Sequence, residues 1–183
     1  VRRFDSAGAE IERRKVPVSY GPKQKFLARL DVDTFEQETA ITLPRMAFEM
    51  DTMTYDAERK INSSQRITNQ KDGESVKFTF APVPYTFDFS LYIMTKNAED
   101  GTQILEQILP YFTPHFNVTI KEFPDLDITR DIPVILNSLT QEDVYEGDFL
   151  SRRSLIWTLG FTVKSNIYGA VRDGQLVQSS IVS

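Results

Sequence analysis

The sequence predicts an α+β fold, mostly antiparallel or mixed β-sheet with helices packed on one face, extended loops and a terminal arm. Three observations lead there. Most stretches with two-residue apolar alternation follow one another with no helix between them, an order that favours antiparallel or mixed pairing. Helical spacing is confined to Lys23–Leu30 and to the stretch after Asn97. No period of about 20–50 residues recurs, so stacked-repeat architectures drop out. At 183 residues the chain suits one domain, placed at 1–165, with 166–183 as a C-terminal arm or edge strand.

Taken in order, Val1–Phe4 and Lys15–Tyr20 read as the two strands of a hairpin around the turn residues Ser6-Ala7-Gly8. Arg2, Arg3, Arg13 and Arg14 concentrate positive charge there, as a solvated edge or as a patch for a partner. Gly21-Pro22 ends the strand, and Lys23–Leu30 follows as a helix with Phe26, Leu27 and Leu30 on one side. Ile41–Leu43 and Met46–Tyr55 form the next strand system, with Met46, Phe48 and Met50 expected on the buried face. Pro44 places it at an edge or a bulge, because a central ladder needs the missing N–H. Ala57–Gly73 is polar and reads as a long exposed loop or protruding hairpin, with Gln70 and Lys71 as contact candidates.

Val76, Phe78 and Phe80 mark a short strand, and Phe87–Met94 is the clearest alternating one. Asn97 is positioned to cap a helix, with Glu99 and Asp100 suiting the positive end of its dipole. Ile104, Leu105, Ile108 and Leu109 form its apolar stripe, and Pro110 and Pro114 stop it. Tyr111, Phe112 and Phe116 are then three rings around a bend, a docking element rather than an active site. Asn117–Phe123, Asp131–Leu139 and Leu155–Val163 read as the remaining strands, with the single Trp157 as a core anchor. Gln141–Asp148 reads as an acidic loop carrying Glu142, Asp143 and Glu146. Arg152 and Arg153 alternate across the start of the last strand, so one points out. They are two surface charges, or one of them pairs with Asp143 or Glu146 of a neighbouring subunit.

Composition narrows the function. With 21 Lys+Arg against 26 Asp+Glu, the net charge of −5 disfavours specific nucleic-acid binding, which draws on a basic surplus. No apolar run approaches the ~20 residues of a membrane helix. The absence of cysteine removes thiolate nucleophiles, thiolate metal sites and disulfides together. The first residue is Val, not Met, so an earlier start is expected. His115 is the sole histidine, with no second His or Cys to share a metal, and reads as a satisfied structural residue. Asp125, Asp127 and Asp131 lie close in sequence, but Asp125-Leu126-Asp127 lacks the glycine and terminal glutamate of a calcium loop. No phosphate-cradling glycine motif occurs. No cofactor or metal is expected, and no catalytic residues are assigned.

Four stretches also carry a family resemblance, in this order: KVPVSYGPKQKFLARL (Lys15–Leu30), ITLPRMAFEMDTMTYD (Ile41–Asp56), LEQILPYFTPHFNVTI (Leu105–Ile120) and GDFLSRRSLIWTLGFTV (Gly147–Val163). The third is the most specific. Together they resemble the tail sheath stabiliser and completion proteins, or tail terminators, of contractile-tailed, myovirus-type bacteriophages. The resemblance covers most of 1–165 and weakens after Ser165. It implies a structural virion protein, made in the host cytoplasm, forming a hexameric ring at the head-proximal end of the tail. Implied partners are the tail sheath protein, the tail tube or its terminator, and a neck or head-completion protein. No family residue is carried over as a catalytic or ligand site. Two other readings stay open from the residues alone. One is a carboxylate-dependent hydrolase or cation-binding enzyme using Asp125, Asp127 and Asp131. The other is an adaptor of a contractile injection system unrelated to a virion.

Overall fold

A computed structural model describes residues 2–4, 10–13, 15–31, 43–71, 75–113, 115–123, 128–145, 153–170 and 172–175. The N-terminal hairpin is tighter than the sequence suggests. Its strands are β1 (Arg2–Phe4) and β2 (Glu10–Arg13), antiparallel, with Arg3 opposite Glu12. β2 carries charge at nearly every position, so apolar alternation pointed past it to Lys15–Tyr20. That stretch instead contributes β3 (Val18–Tyr20), which runs parallel to β4 (Arg45–Tyr55). The expected turn at Ser6–Gly8 lies outside the described residues, as do Ile41 and Thr42.

Between β3 and β4 comes helix α1 (Lys23–Asp31). Gly21 lets the chain turn into it, for a Cβ there would come within 3.1 Å of the Phe26 ring. After β4 a 3₁₀ turn (Ala57–Arg59) leads through exposed residues to β5 (Arg66–Lys71), which pairs antiparallel with β6 (Ser75–Phe80). The polar stretch is thus a hairpin from Arg66 on. β7 (Val83–Thr95), helix α2 (Ala98–Ile108), a 3₁₀ turn (Leu109–Tyr111) and β8 (His115–Phe123) follow. β9 (Ile128–Tyr145) and β10 (Arg153–Ile167) are long antiparallel partners, and β11 (Arg172–Gln175) pairs with β6. Residues Gln141–Tyr145 therefore belong to a strand, not to an acidic loop: each stands opposite a residue of β10 in an antiparallel ladder, and that outweighs their polarity.

The strand orders among the described residues are β1-β2, β3-β4-β7-β10-β9-β8 and β11-β6-β5. Two compact units result. The first comprises Val1–Thr52, Asp88–Phe116 and Val134–Val163, the second Met53–Phe87, Asn117–Pro133 and Lys164–Ser183.

In the first unit, strand alternation sorts the core into two clusters. Ile93, Trp157 and Leu159 meet Ile104 and Leu105 of α2, joined by Met46. The neighbours of opposite parity, Ala47, Tyr92, Met94 and Ile156, meet Phe26 of α1. The α+β class stands, but the two helices lie on opposite faces of the strands rather than on one. The physical reason is chain order: α1 and α2 leave different strands, and each apolar face needs its own cover. Burying an aliphatic side chain such as Ile156 or Leu159 contributes about 1.5–3 kcal/mol, so both clusters matter. α2 begins at Asn97, whose backbone is extended but whose side chain makes no capping bond. Within the helix, Thr102 donates back to the Ala98 carbonyl (2.9 Å).

In the second unit, the Asp56 carboxylate accepts from the Arg59 backbone N–H (3.4 Å) and from Arg59 Nε (2.6 Å). Arg59 also donates to the Tyr85 carbonyl (2.9 Å). The Arg59 guanidinium holds the Asp56 carboxyl below its ordinary value. In the small sheet, Arg66 lies over Phe78 and Phe80, and Arg172 over Phe80, at 5.0–5.7 Å from the ring centroids.

Candidate interaction surfaces

The described carboxylates of the main sheet serve their neighbours. Thr52 Oγ1 donates to Asp88 Oδ2 (2.8 Å) and Thr162 Oγ1 to Asp88 Oδ1 (2.7 Å), so both Asp88 oxygens are engaged. Asn137 donates to Thr162, Ser90 to Asp51 and Tyr92 to Glu49. Burial first, and then the Glu49 hydrogen bond, push the Tyr92 phenol up to about 12. These are cross-strand ties between β4, β7, β10 and β9, not converging free acids. Among the described residues no group of three or more His, Asp or Glu side chains is placed to hold a metal. Asp131 is exposed and accepts from Thr119, while Asp125 and Asp127 lie outside the described residues. His115 is exposed at the start of β8, where the sequence suggested a satisfied structural residue, because the strand it opens ends its sheet.

The contact candidates fall at scattered places. Arg2 and Arg13 share one rung of the β1–β2 hairpin, and Arg14 lies outside the described residues. Gln70 and Lys71 stand opposite Val76 and Ser75 at the turn end of β5–β6. Glu142 forms an ion pair with Lys23 of α1 in its own chain, and Asp143 is exposed opposite Leu155. Arg153 opens β10 opposite Tyr145, and Glu146 and Arg152 lie outside the described residues.

Sequence reasoning missed one exposed apolar feature of the first unit and foresaw another. β3 covers only Met46–Phe48 of β4, and beside that junction Val18, Tyr20, Phe48 and Met50 are exposed. Tyr20 is 65% exposed and packs edge-on against Phe48 at 5.3 Å. Here the expected inward face is covered only at Met46, which packs on the α2 cluster, whereas Phe48 is 37% exposed and the opposite face buries Ala47 fully against α1. Residue size misled, for the small residue faces the closely packed helix. The second feature was foreseen as three rings. Tyr111 (66% exposed) and Phe116 meet edge to face, and Phe112 links Phe116 to the core through Phe161 at 5.1 Å. The signal for the first was available in Val18-Ser19-Tyr20 flanked by Pro17 and Gly21, a strand too short to be covered.

Comparison with known proteins gives two findings. A family model described as the T4-like virus Myoviridae tail sheath stabiliser matches residues 1–183. The chain is also 35% identical over 171 residues to the tail completion protein gp15 of Enterobacteria phage T4. That match takes in 88% of this chain and 62% of the relative, so the chain spans less than two thirds of the relative's length.

Proposed function

The chain belongs to the T4-like tail sheath stabiliser family, and from that premise we propose that it completes a contractile phage tail as a structural protein of the virion. In this reading it forms a closed ring, a hexamer, at the head-proximal end of the tail. The ring covers the open ends of tube and sheath, holds the last sheath layer during contraction and meets a neck protein. A closed ring requires two different, matching surfaces on each subunit. The contact elements are the basic hairpin with Arg2, Arg3, Arg13 and Arg14, the hairpin tip with Gln70 and Lys71, the acidic stretch Glu142–Asp148, Arg152 and Arg153, and the chain after Ser165. The observation that carries the reading is the family match over all 183 residues. The engaged carboxylates of Asp51, Asp88 and Glu49 fit it, since each accepts from a neighbouring strand and ties the sheet together.

Light scattering of the purified protein, alone and mixed with tail tube and sheath polymers, tests the proposal. A sixfold subunit mass, or retention on polymer ends seen by electron microscopy, is expected. A monomer at every concentration that also ignores both polymers overturns it.

A further inference from the structure

The two exposed apolar features of the first unit occupy opposite ends of the six-strand order. Val18, Tyr20, Phe48 and Met50 flank β3 and β4 at one end. Leu109, Tyr111 and Phe116 mark the turn from α2 into β8 at the other. Both relate to the α2 side of the strands: Met46, one alternation from Phe48, and Phe112, tilted against Phe161, belong to the α2 cluster. Apolar groups left in water on a soluble chain mark contact sites when they gather rather than scatter.

Charge separates the two ends. Of the first feature, Lys15–Lys25 holds three lysines and no acid, while the β4 part adds Glu49 and Asp51, whose carboxylates are engaged by Tyr92 and Ser90 of the neighbouring strand. The segment carrying the second, Asn97–Phe116, holds Glu99, Asp100 and Glu106 and neither Lys nor Arg. Lys23 is committed to Glu142, and Asp100 is buried. That leaves Lys15 and Lys25 exposed on one side and Glu99 and Glu106 exposed on the other, two against two. None of these four takes part in an ion pair among the described residues.

We propose that these two features are each other's partners in neighbouring copies: the Leu109–Tyr111–Phe116 turn of one chain seats on Val18, Tyr20, Phe48 and Met50 of the next. A turn-on-seat contact made once leaves a free turn on one copy and a free seat on the other, so further copies add head to tail, the arrangement that closes into a ring. Apolar contact supplies the attachment, and the Lys15/Lys25 to Glu99/Glu106 match sets its polarity, rejecting seat on seat and turn on turn. The inference rests on the ring proposed above and assigns its subunit contact.

Two single variants test it, Tyr20→Glu and Tyr111→Glu, at positions exposed enough to leave the melting temperature unchanged. Each alone is expected to lose self-association. Mixed, they retain one intact junction, the turn of the first on the seat of the second, so light scattering should show a two-subunit species and nothing larger. A chain without cysteine permits an independent check. The Tyr20→Cys/Tyr111→Cys double variant, treated with a short bis-maleimide, should give a ladder beyond dimer, and each single cysteine variant should not. If the parent assembles while either glutamate variant keeps its mass, or the mixture stays monomeric, or the double variant gives no ladder, this contact is overturned and the ring survives. If the parent neither self-associates nor binds tail polymers, both proposals fall.

Discussion

Gly101 lies in α2 where the helix crosses Trp157, and a Cβ added there would stand 2.3 Å from the indole Nε1. In an exposed helix, Gly→Ala stabilises by about 1 kcal/mol. Here the obstacle is a rigid ring in a packed core, so the sign reverses. Gly101→Ala is expected to destabilise by about 1–3 kcal/mol, read as a lower urea midpoint in Trp fluorescence. Gly160 makes the opposite case. Its added Cβ would meet Ser138 Oγ at 2.6 Å, but Ser138 is exposed and its hydroxyl can rotate away. Gly160→Ala should therefore move the same midpoint by less than about 0.5 kcal/mol. Tyr92 gives a pH signature. Its folded-state value is raised above the ordinary 10, so the folded chain holds the phenolic proton more tightly than the unfolded one. That contribution is complete below pH 10 and is lost as pH rises towards 12, up to about 2 kcal/mol. Urea melts of Tyr92→Phe across that window should show a shallower fall than the parent, and equal slopes would refute the assignment.

At the level of strands and helices, period was easier to read than side. The alternation in Phe87–Met94 and Leu155–Val163 located β7 and β10 directly, and the 3.6-residue spacing located both helices. Which face is inward did not follow from size, since Ala47 is buried under α1 while Phe48 remains exposed. Two covered faces leave both parities apolar in β7, where Tyr92, Ile93 and Met94 are all buried. Pairing was harder still. β2, charged along its length, finds β1 through register, and Gln141–Tyr145 stay in strand form because β10 lies alongside. Of the contact surfaces, the ring cluster after α2 was legible from its proline-bounded aromatics, whereas the seat at Tyr20 and Phe48 depended on how few residues of β4 a three-residue strand can cover. Truncation tests the value of the doubly covered sheet. Leu159→Ala, at a fully buried position beside Trp157, should cost about 2–5 kcal/mol, measured as a loss in unfolding free energy with unchanged slope.

For the whole molecule, the proposed assembly combines an apolar seat with a small charge match, and salt should separate them. Raising NaCl from 0.05 to 1 M, concentrations over which the screening length drops from roughly 14 to 3 Å, should weaken self-association without abolishing it. Complete dissociation in salt would mean that charge alone holds the copies. The small sheet has its own consequence, which concerns time. Arg172 pairs with Phe78, about 90 residues earlier, so the β5–β6 hairpin waits for that intervening stretch to be translated before β11 can lie down beside it. Until then β6 offers a bare flank to any passing strand. Nascent chains released at Ala170 should be caught by holdase chaperones far more than chains released after Gln175, with β11 acting as the strand that seals the flank of β6.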